Sequence, residues 1–175
     1  MTATRKINMN LYIVRHGIAV EVGEHGVRKD AERFLSEEGR RKTTAVGRGL
    51  KRLGITPDLI LTSPLARARE TAELIAAVHD PGLPFEVFDP LAPGGDFIEI
   101  VRELKERSFA DIMLVGHMPE VAEWVSMFVG GDPGMEFTFK RASVACIHFE
   151  GPPAVGCGRL EWLIPPGVLR SLGDD

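Results

Sequence analysis

The sequence predicts an α/β domain: a three-layer sandwich with a mostly parallel central sheet and helices on both faces. Two observations carry that prediction. Short, wholly apolar runs recur at Leu11-Tyr12-Ile13-Val14, Leu59–Leu61 and Ile112-Met113-Leu114-Val115, as expected of strands buried on both faces. Between them lie segments whose apolar residues follow helical spacing, so strand and helix alternate along the chain. At 175 residues, with 44% apolar and 26% charged residues, the chain suits one domain with a real core.

Each element has its own local signal. Residues 1–8 read as a flexible arm, and the folded domain is expected over 9–175. After the first strand comes a polar loop from Glu21 to Arg33, then a helix capped by Ser36 with Val46, Leu50 and Leu53 as its buried stripe. Gly54 stops that helix. Leu59–Leu61 is the second strand, and Pro64 occupies a first helical position ahead of Leu65, Ala68, Ala72, Ile75 and Ala76. Phe85–Phe88 reads as a third strand and Leu91 to Gly95 as a loop. Asp96 with Glu99 resembles a capping box for a helix bearing Phe97, Ile100, Val101 and Leu104. Ile112–Val115 is the fourth strand. A helix with Val121, Trp124, Val125, Phe128 and Val129 on one face follows and closes at Gly130-Gly131. Two alternating segments, Val144 to Phe149 and Leu160 to Ile164, complete the sheet.

Composition narrows the function. A net charge of −4 and the lack of a long basic run argue against a nucleic-acid partner. The longest apolar stretches are too short to span a membrane, and the first residues lack the apolar core of a signal peptide. Cys146 and Cys157 have no metal-like spacing, which makes a reducing cytoplasm the expected location.

The chemistry concentrates where strands end. His16 follows the first strand in Arg15-His16-Gly17, and His117 follows the fourth in Gly116-His117. In an open α/β sheet, the carboxyl ends of parallel strands form the ligand crevice, so both histidines are expected at one pocket. Ser63-Pro64-Leu65-Ala66-Arg67-Ala68-Arg69-Glu70-Thr71 brings arginines to the same edge. Arginine binds phosphate bidentately and keeps its charge, and a helix N-terminus adds partial positive charge. A neutral His16 can attack phosphorus, while His117 can stabilise charge on an equatorial oxygen. Neither histidine adjoins a carboxylate or cysteine, and nearby arginine would repel a cation, so neither metal nor cofactor is expected. Arg69, His25, His79 and His148 read as structural or solvated, and Cys146 as core.

Three motifs in order, Arg15-His16-Gly17, Ser63-Pro64-Leu65-x-Arg67-Ala68-x-x-Thr71 and Gly116-His117, resemble the histidine phosphatase superfamily, which includes phosphoglycerate mutase. Arg33-Phe34-Leu35-Ser36-x-x-Gly39, Leu91-Ala92-Pro93-Gly94-Gly95-Asp96 and His117-Met118-Pro119 look most like its small SixA-type phosphohistidine phosphatases. The resemblance implies a phosphoglycerate mutase-like fold and makes His16 the nucleophile of a metal-independent phosphatase. It implies that Arg15, Arg67 and His117, with Gly17 beside them, form the phosphate pocket, and that Arg33 lines its mouth. It further implies a phosphorylated substrate, a phosphohistidine-bearing signalling protein being the candidate, handled by a monomer or weak dimer.

One departure bears on the substrate. Larger members carry a glutamate acid in the loop after the third strand, whereas Asp89 to Asp96 contains none. Asp96 is the nearest carboxylate, and a helix N-cap accounts for it more simply. An alkoxide leaving group needs a proton, but imidazole, with a pKa of about 6.5, leaves readily. That favours P–N cleavage. A small-molecule phosphomonoesterase and a non-catalytic phosphate-binding module are the alternatives, and an intact nucleophile position weighs against the second.

Overall fold

The computed structural model describes residues 8–174, so all of the expected N-terminal arm except the exposed Asn8 lies outside the described residues. Six strands form one sheet: β1 (Met9–Arg15), β2 (Leu59–Thr62), β3 (Phe85–Val87), β4 (Asp111–Gly116), β5 (Val144–Phe149) and β6 (Arg159–Ile164). Their spatial order is β3-β2-β4-β1-β5-β6. The β3-β2-β4-β1 portion is parallel, and β5 and β6 add antiparallel pairings at one edge. Helices α1 (Glu37–Arg52), α2 (Ala66–His79), α3 (Phe97–Glu106), α4 (Glu120–Gly130) and α5 (Pro166–Gly173) cover both faces. None of the described helices is long and apolar enough to cross a membrane.

Alternation along β1 divides the core in two. Leu11 and Ile13 join Leu59, Leu61, Ile112 and Leu114 beneath α3 and α4. Tyr12 and Val14 join Ile60, Met113 and Val115 beneath α1, α2 and α5. Because helices cover both faces, these strands show no polar side, which is why their sequences read as unbroken apolar runs. Each fully buried aliphatic side chain contributes roughly 1.5–3 kcal/mol of transfer free energy, so the alternation strongly specifies one register.

The helix starts follow local chemistry. Ser36 Oγ accepts the Gly39 N–H at 3.0 Å, and an Asp96 carboxylate oxygen accepts the Ile98 N–H at 2.8 Å. Several expectations need correction. Leu53 is 47% exposed rather than part of the α1 stripe, because it is the cap residue where the chain turns out at Gly54. Pro64 lies ahead of α2 rather than inside it, since Leu65 is still extended and serves as the N-cap. β5 is buried almost throughout rather than alternating, because β1 and β6 flank it and apolar helix layers cover both sides. Short 3-10 turns at Asp30–Glu32 and Asp89–Leu91, and all of α5, had no sequence expectation.

The α5 helix docks on α1 through glycine. A Cβ at Gly49 would sit 2.0 Å from the Leu169 carbonyl oxygen, and one at Gly173 would sit 2.0 Å from that of Ala45. Backbone meets backbone here, so no side-chain rotation relieves the clash. Gly49→Ala is therefore expected to lower stability by about 1–3 kcal/mol, the usual cost of overpacking, read as a lower urea midpoint. An unchanged midpoint would show that α5 is not seated against Gly49.

Candidate active site

Register brings the two histidines together. Arg15, the last residue of β1, pairs with Gly116, the last of β4, and the His16 N–H donates to the Gly116 carbonyl at 3.0 Å. The His16 and His117 rings then lie 5.1 Å apart between centroids, tilted by 52°. They are nearly enclosed, at 7% and 2% exposure. Gly116 has a packing reason to be glycine: a Cβ there would lie 2.5 Å from the Trp124 ring.

The hydrogen bonds set the ring protons. His16 Nδ1 lies 2.7 Å from the Gly17 carbonyl oxygen, which can only accept, so Nδ1 carries the proton and Nε2 keeps its lone pair. Burial lowers the His16 pKa to about 3, opposed by the Gly17 bond and aided by His117, Arg67 and Arg15. Ser63 Oγ accepts the Leu65 N–H at 3.3 Å and lies 2.8 Å from His117 Nε2. With Ser63 Oγ–H donating to Nε2, the arrangement that uses the hydroxyl proton, the proton of His117 sits on Nδ1. Burial, then Arg67, lowers the His117 pKa to about 4.

The arginines frame these rings. Arg67, in the first turn of α2 and 4% exposed, donates through Nη1 to the Asp30 carbonyl at 2.7 Å and through Nη2 to Asp30 Oδ2 at 2.8 Å. Arg15 donates through Nη1 to the Phe139 carbonyl at 2.6 Å. Arg15 Nε, Arg67 Nε and His117 Nδ1 are buried and unpartnered. An unsatisfied buried donor costs about 1–3 kcal/mol, and both arginines are close enough to His117 to lower its pKa, so the three suit a ligand that accepts. With two cations and two neutral imidazoles, this arrangement can hold an oxyanion against the lone pair of His16 Nε2. Among the described residues, no group of three or more His, Cys, Asp or Glu could hold a metal ion.

Other candidate residues are engaged elsewhere. Gly17 is buried; its N–H donates to Thr71 Oγ1 at 3.0 Å, and Thr71 Oγ1 donates to the Arg67 carbonyl at 2.7 Å. Arg33 holds the loop after β1 together, donating to the Val20 carbonyl at 2.7 Å and pairing with Glu21 at 2.9 Å and Asp30 at 3.1 Å. Asp96 is exposed and occupied as the α3 cap. Arg69 is exposed, and His25 lies in the loop with its ring 6.3 Å from that of Phe34. His79 and His148 have structural partners in Ile75 and Ile55, and in Asn10.

Sequence reading assigned no role to Ser63, Thr71 or Asp30. The four-residue spacing of Arg67 and Thr71 on a helix was an available signal for one of them. Asp30 gave none, since it reaches Arg67 across 37 positions. Burial raises the Asp30 pKa, but the Arg33 hydrogen bond and Arg67 together outweigh that and hold it below the usual carboxylate range.

Comparison with known proteins agrees with this geometry. The model of the histidine phosphatase superfamily (branch 1) matches residues 11–93. An uncharacterized protein of Picosynechococcus is 37% identical over 139 residues, 78% of this chain and 82% of that protein. A phosphohistidine phosphatase SixA homolog of Haemophilus influenzae is 30% identical over 153 residues, 82% of this chain and 90% of that protein. Among solved structures, the protein histidine phosphatase SixA complexed with tungstate superposes with a TM-score of 0.78 at 25% identity, over 92% of this chain and 99% of that one. The fold is phosphoglycerate mutase-like. Sequence relatives and architecture thus converge, and the chain belongs to the histidine phosphatase superfamily as a phosphatase.

Proposed function

We propose that this phosphatase removes phosphate from phosphohistidine on a protein, through a covalent phosphohistidine on His16. The observation that carries the reading is the set of unpartnered donors, Arg15 Nε, Arg67 Nε and His117 Nδ1, around a histidine whose Nδ1 is already committed. His16 Nε2 attacks phosphorus, an Nε2–P bond forms, and the P–N bond to the substrate imidazole breaks. Arg15 and Arg67 hold equatorial oxygens, and His117 Nδ1–H donates to the oxygen that gains charge. The phosphorylated ring takes a proton from solvent on its other nitrogen before the P–N bond breaks, so it departs as neutral imidazole and needs no positioned acid. Water then attacks phosphorus, releasing inorganic phosphate and restoring His16. Gly17, Thr71 and Ser63 act by holding ring and arginine orientations. The SixA names of the Haemophilus influenzae and Escherichia coli relatives support the substrate class, and the tungstate complex of a similar fold supports an oxyanion pocket.

Rates on a phosphohistidine protein, an aryl phosphate and an alkyl phosphate test the proposal. Phosphohistidine is expected to have the highest kcat/KM and the alkyl ester the lowest. His16→Ala is expected to lose on the order of 10³ or more on every substrate while still folding. A sugar phosphate as the best substrate, or a tenth of the rate surviving in His16→Ala, would refute it.

Arg67→Lys keeps the charge but loses the planar fork, so kcat/KM should fall by about 2 kcal/mol, with weaker vanadate binding. Wild-type kinetics in that variant would place the guanidinium outside the pocket.

Ring titration by NMR checks the electrostatics. His16, with its pKa lowered to about 3, should stay neutral from pH 8 to pH 5. The unfolded chain binds this proton below about 6.5. Stability from the neutral ring is therefore complete above 6.5 and declines as pH falls towards the native value. A His16 midpoint near 6.5 would contradict the burial argument.

A further inference from the structure

Beside the histidine pocket lies a second cavity, of about 370 Å³, that the mechanism above does not use. Arg15 lines it and so connects the two. Lys42, Lys140, Arg141 and Arg170 line it as well, and no carboxylate does among the described residues. This concentration is unusual for a chain whose net charge is −4. Three of the cations have acidic neighbours: Lys42 pairs with Glu38, Arg170 is close enough to the same carboxylate to help lower its pKa, and Arg141 lies 3.7 Å from Glu21.

The cavity also holds buried polar atoms that lack partners. Thr43 is fully buried, lines the cavity and has an unpartnered Oγ1, and Arg170 Nε is likewise buried and unpartnered. Thr43 also touches the catalytic turn, because a Cβ on Gly17 would lie 2.3 Å from its Oγ1. Ile18, Ala142 and Pro166 supply an apolar wall. Cationic rim, buried donors and apolar wall together suit an anionic group on a short aliphatic stem.

We infer that this cavity is a second anion subsite, which binds a carboxylate or phosphate carried by the substrate whose phosphoryl group occupies the histidine pocket. The inference rests on the reading of His16, Arg15, Arg67 and His117 as the reaction site. Two sources share this chemistry: an acidic residue flanking the phosphorylated residue of a protein, and a second phosphate on a small molecule.

The test compares wild type with Arg170→Ala and Lys140→Ala on p-nitrophenyl phosphate and on two substrate pairs. One pair is a phosphohistidine peptide flanked by glutamates or by glutamines; the other is a small diol carrying two phosphates or one. Wild type is expected to prefer the glutamate peptide by on the order of tenfold in kcat/KM, mostly through KM. Both variants should lose that preference and keep the p-nitrophenyl phosphate rate, and added salt should weaken it in wild type. A preference for the bisphosphate that the same variants lose would also support the subsite and identify the small-molecule source. No preference in wild type, or one that survives both substitutions, overturns the inference. An equal loss on every substrate overturns it too, marking these side chains as structural. Folded wild type that hydrolyses none of these substrates would overturn the reaction-site reading itself.

Discussion

The parallel pairing of β1 with β4 is the constraint on which the site depends. Asn10 through Arg15 lie opposite Asp111 through Gly116 without interruption, so both strands end at the same level. The residue after each end is a histidine, and the two rings face each other at 5.1 Å. A slip of one residue would invert every side chain of β1 between the two cores and separate the rings. Gly116 gives way to Trp124 at this point, which links the strand end to the core beneath α4.

Electrostatics and burial act in one direction at this level of the fold. Enclosing His16 and His117 disfavours their charged forms, and Arg67 and Arg15 add repulsion. The result is positive charge on groups that cannot lose it beside a ring nitrogen with a free lone pair, as the proposed mechanism requires. Asp30, from the exposed loop after β1, occupies two donors of Arg67 while leaving its Nε unpartnered. That contact crosses from a surface loop to a buried guanidinium. It fixes the orientation of Arg67.

The antiparallel edge shapes the surroundings of the site. β5 pairs with β1 directly, and the backbone just before it meets the Arg15-His16 turn, with the Ala142 N–H donating to the Arg15 carbonyl at 3.0 Å. Lys140 and Arg141 therefore arrive next to Arg15, and α5 carries Arg170 to the same cavity. The glycine-tight contact between α5 and α1 thus fixes one wall of the basic cavity as well as covering the sheet.

Most of the architecture was legible in the sequence because burial on two faces leaves unbroken apolar runs, and because caps such as Ser36 and Asp96 act over three residues or fewer. The position of His16 and His117 at strand ends was legible for the same reason. The sequence alone therefore determined the six strands and the first four helices, in their order, and which side chains stand at the carboxyl edge of the sheet. It could not show α5, which buries only Leu169 and Gly173 and docks where Gly49 and Gly173 let its backbone meet that of α1. Nor could it show that Leu53 turns outward, that Asp30 reaches Arg67, or that Ser63 orients His117. The grouping of Arg170 with Lys140 and Arg15 was equally hidden. Only the tertiary structure decided these, because each joins residues far apart in the chain through distances set by packing, and packing leaves no periodic trace in the sequence.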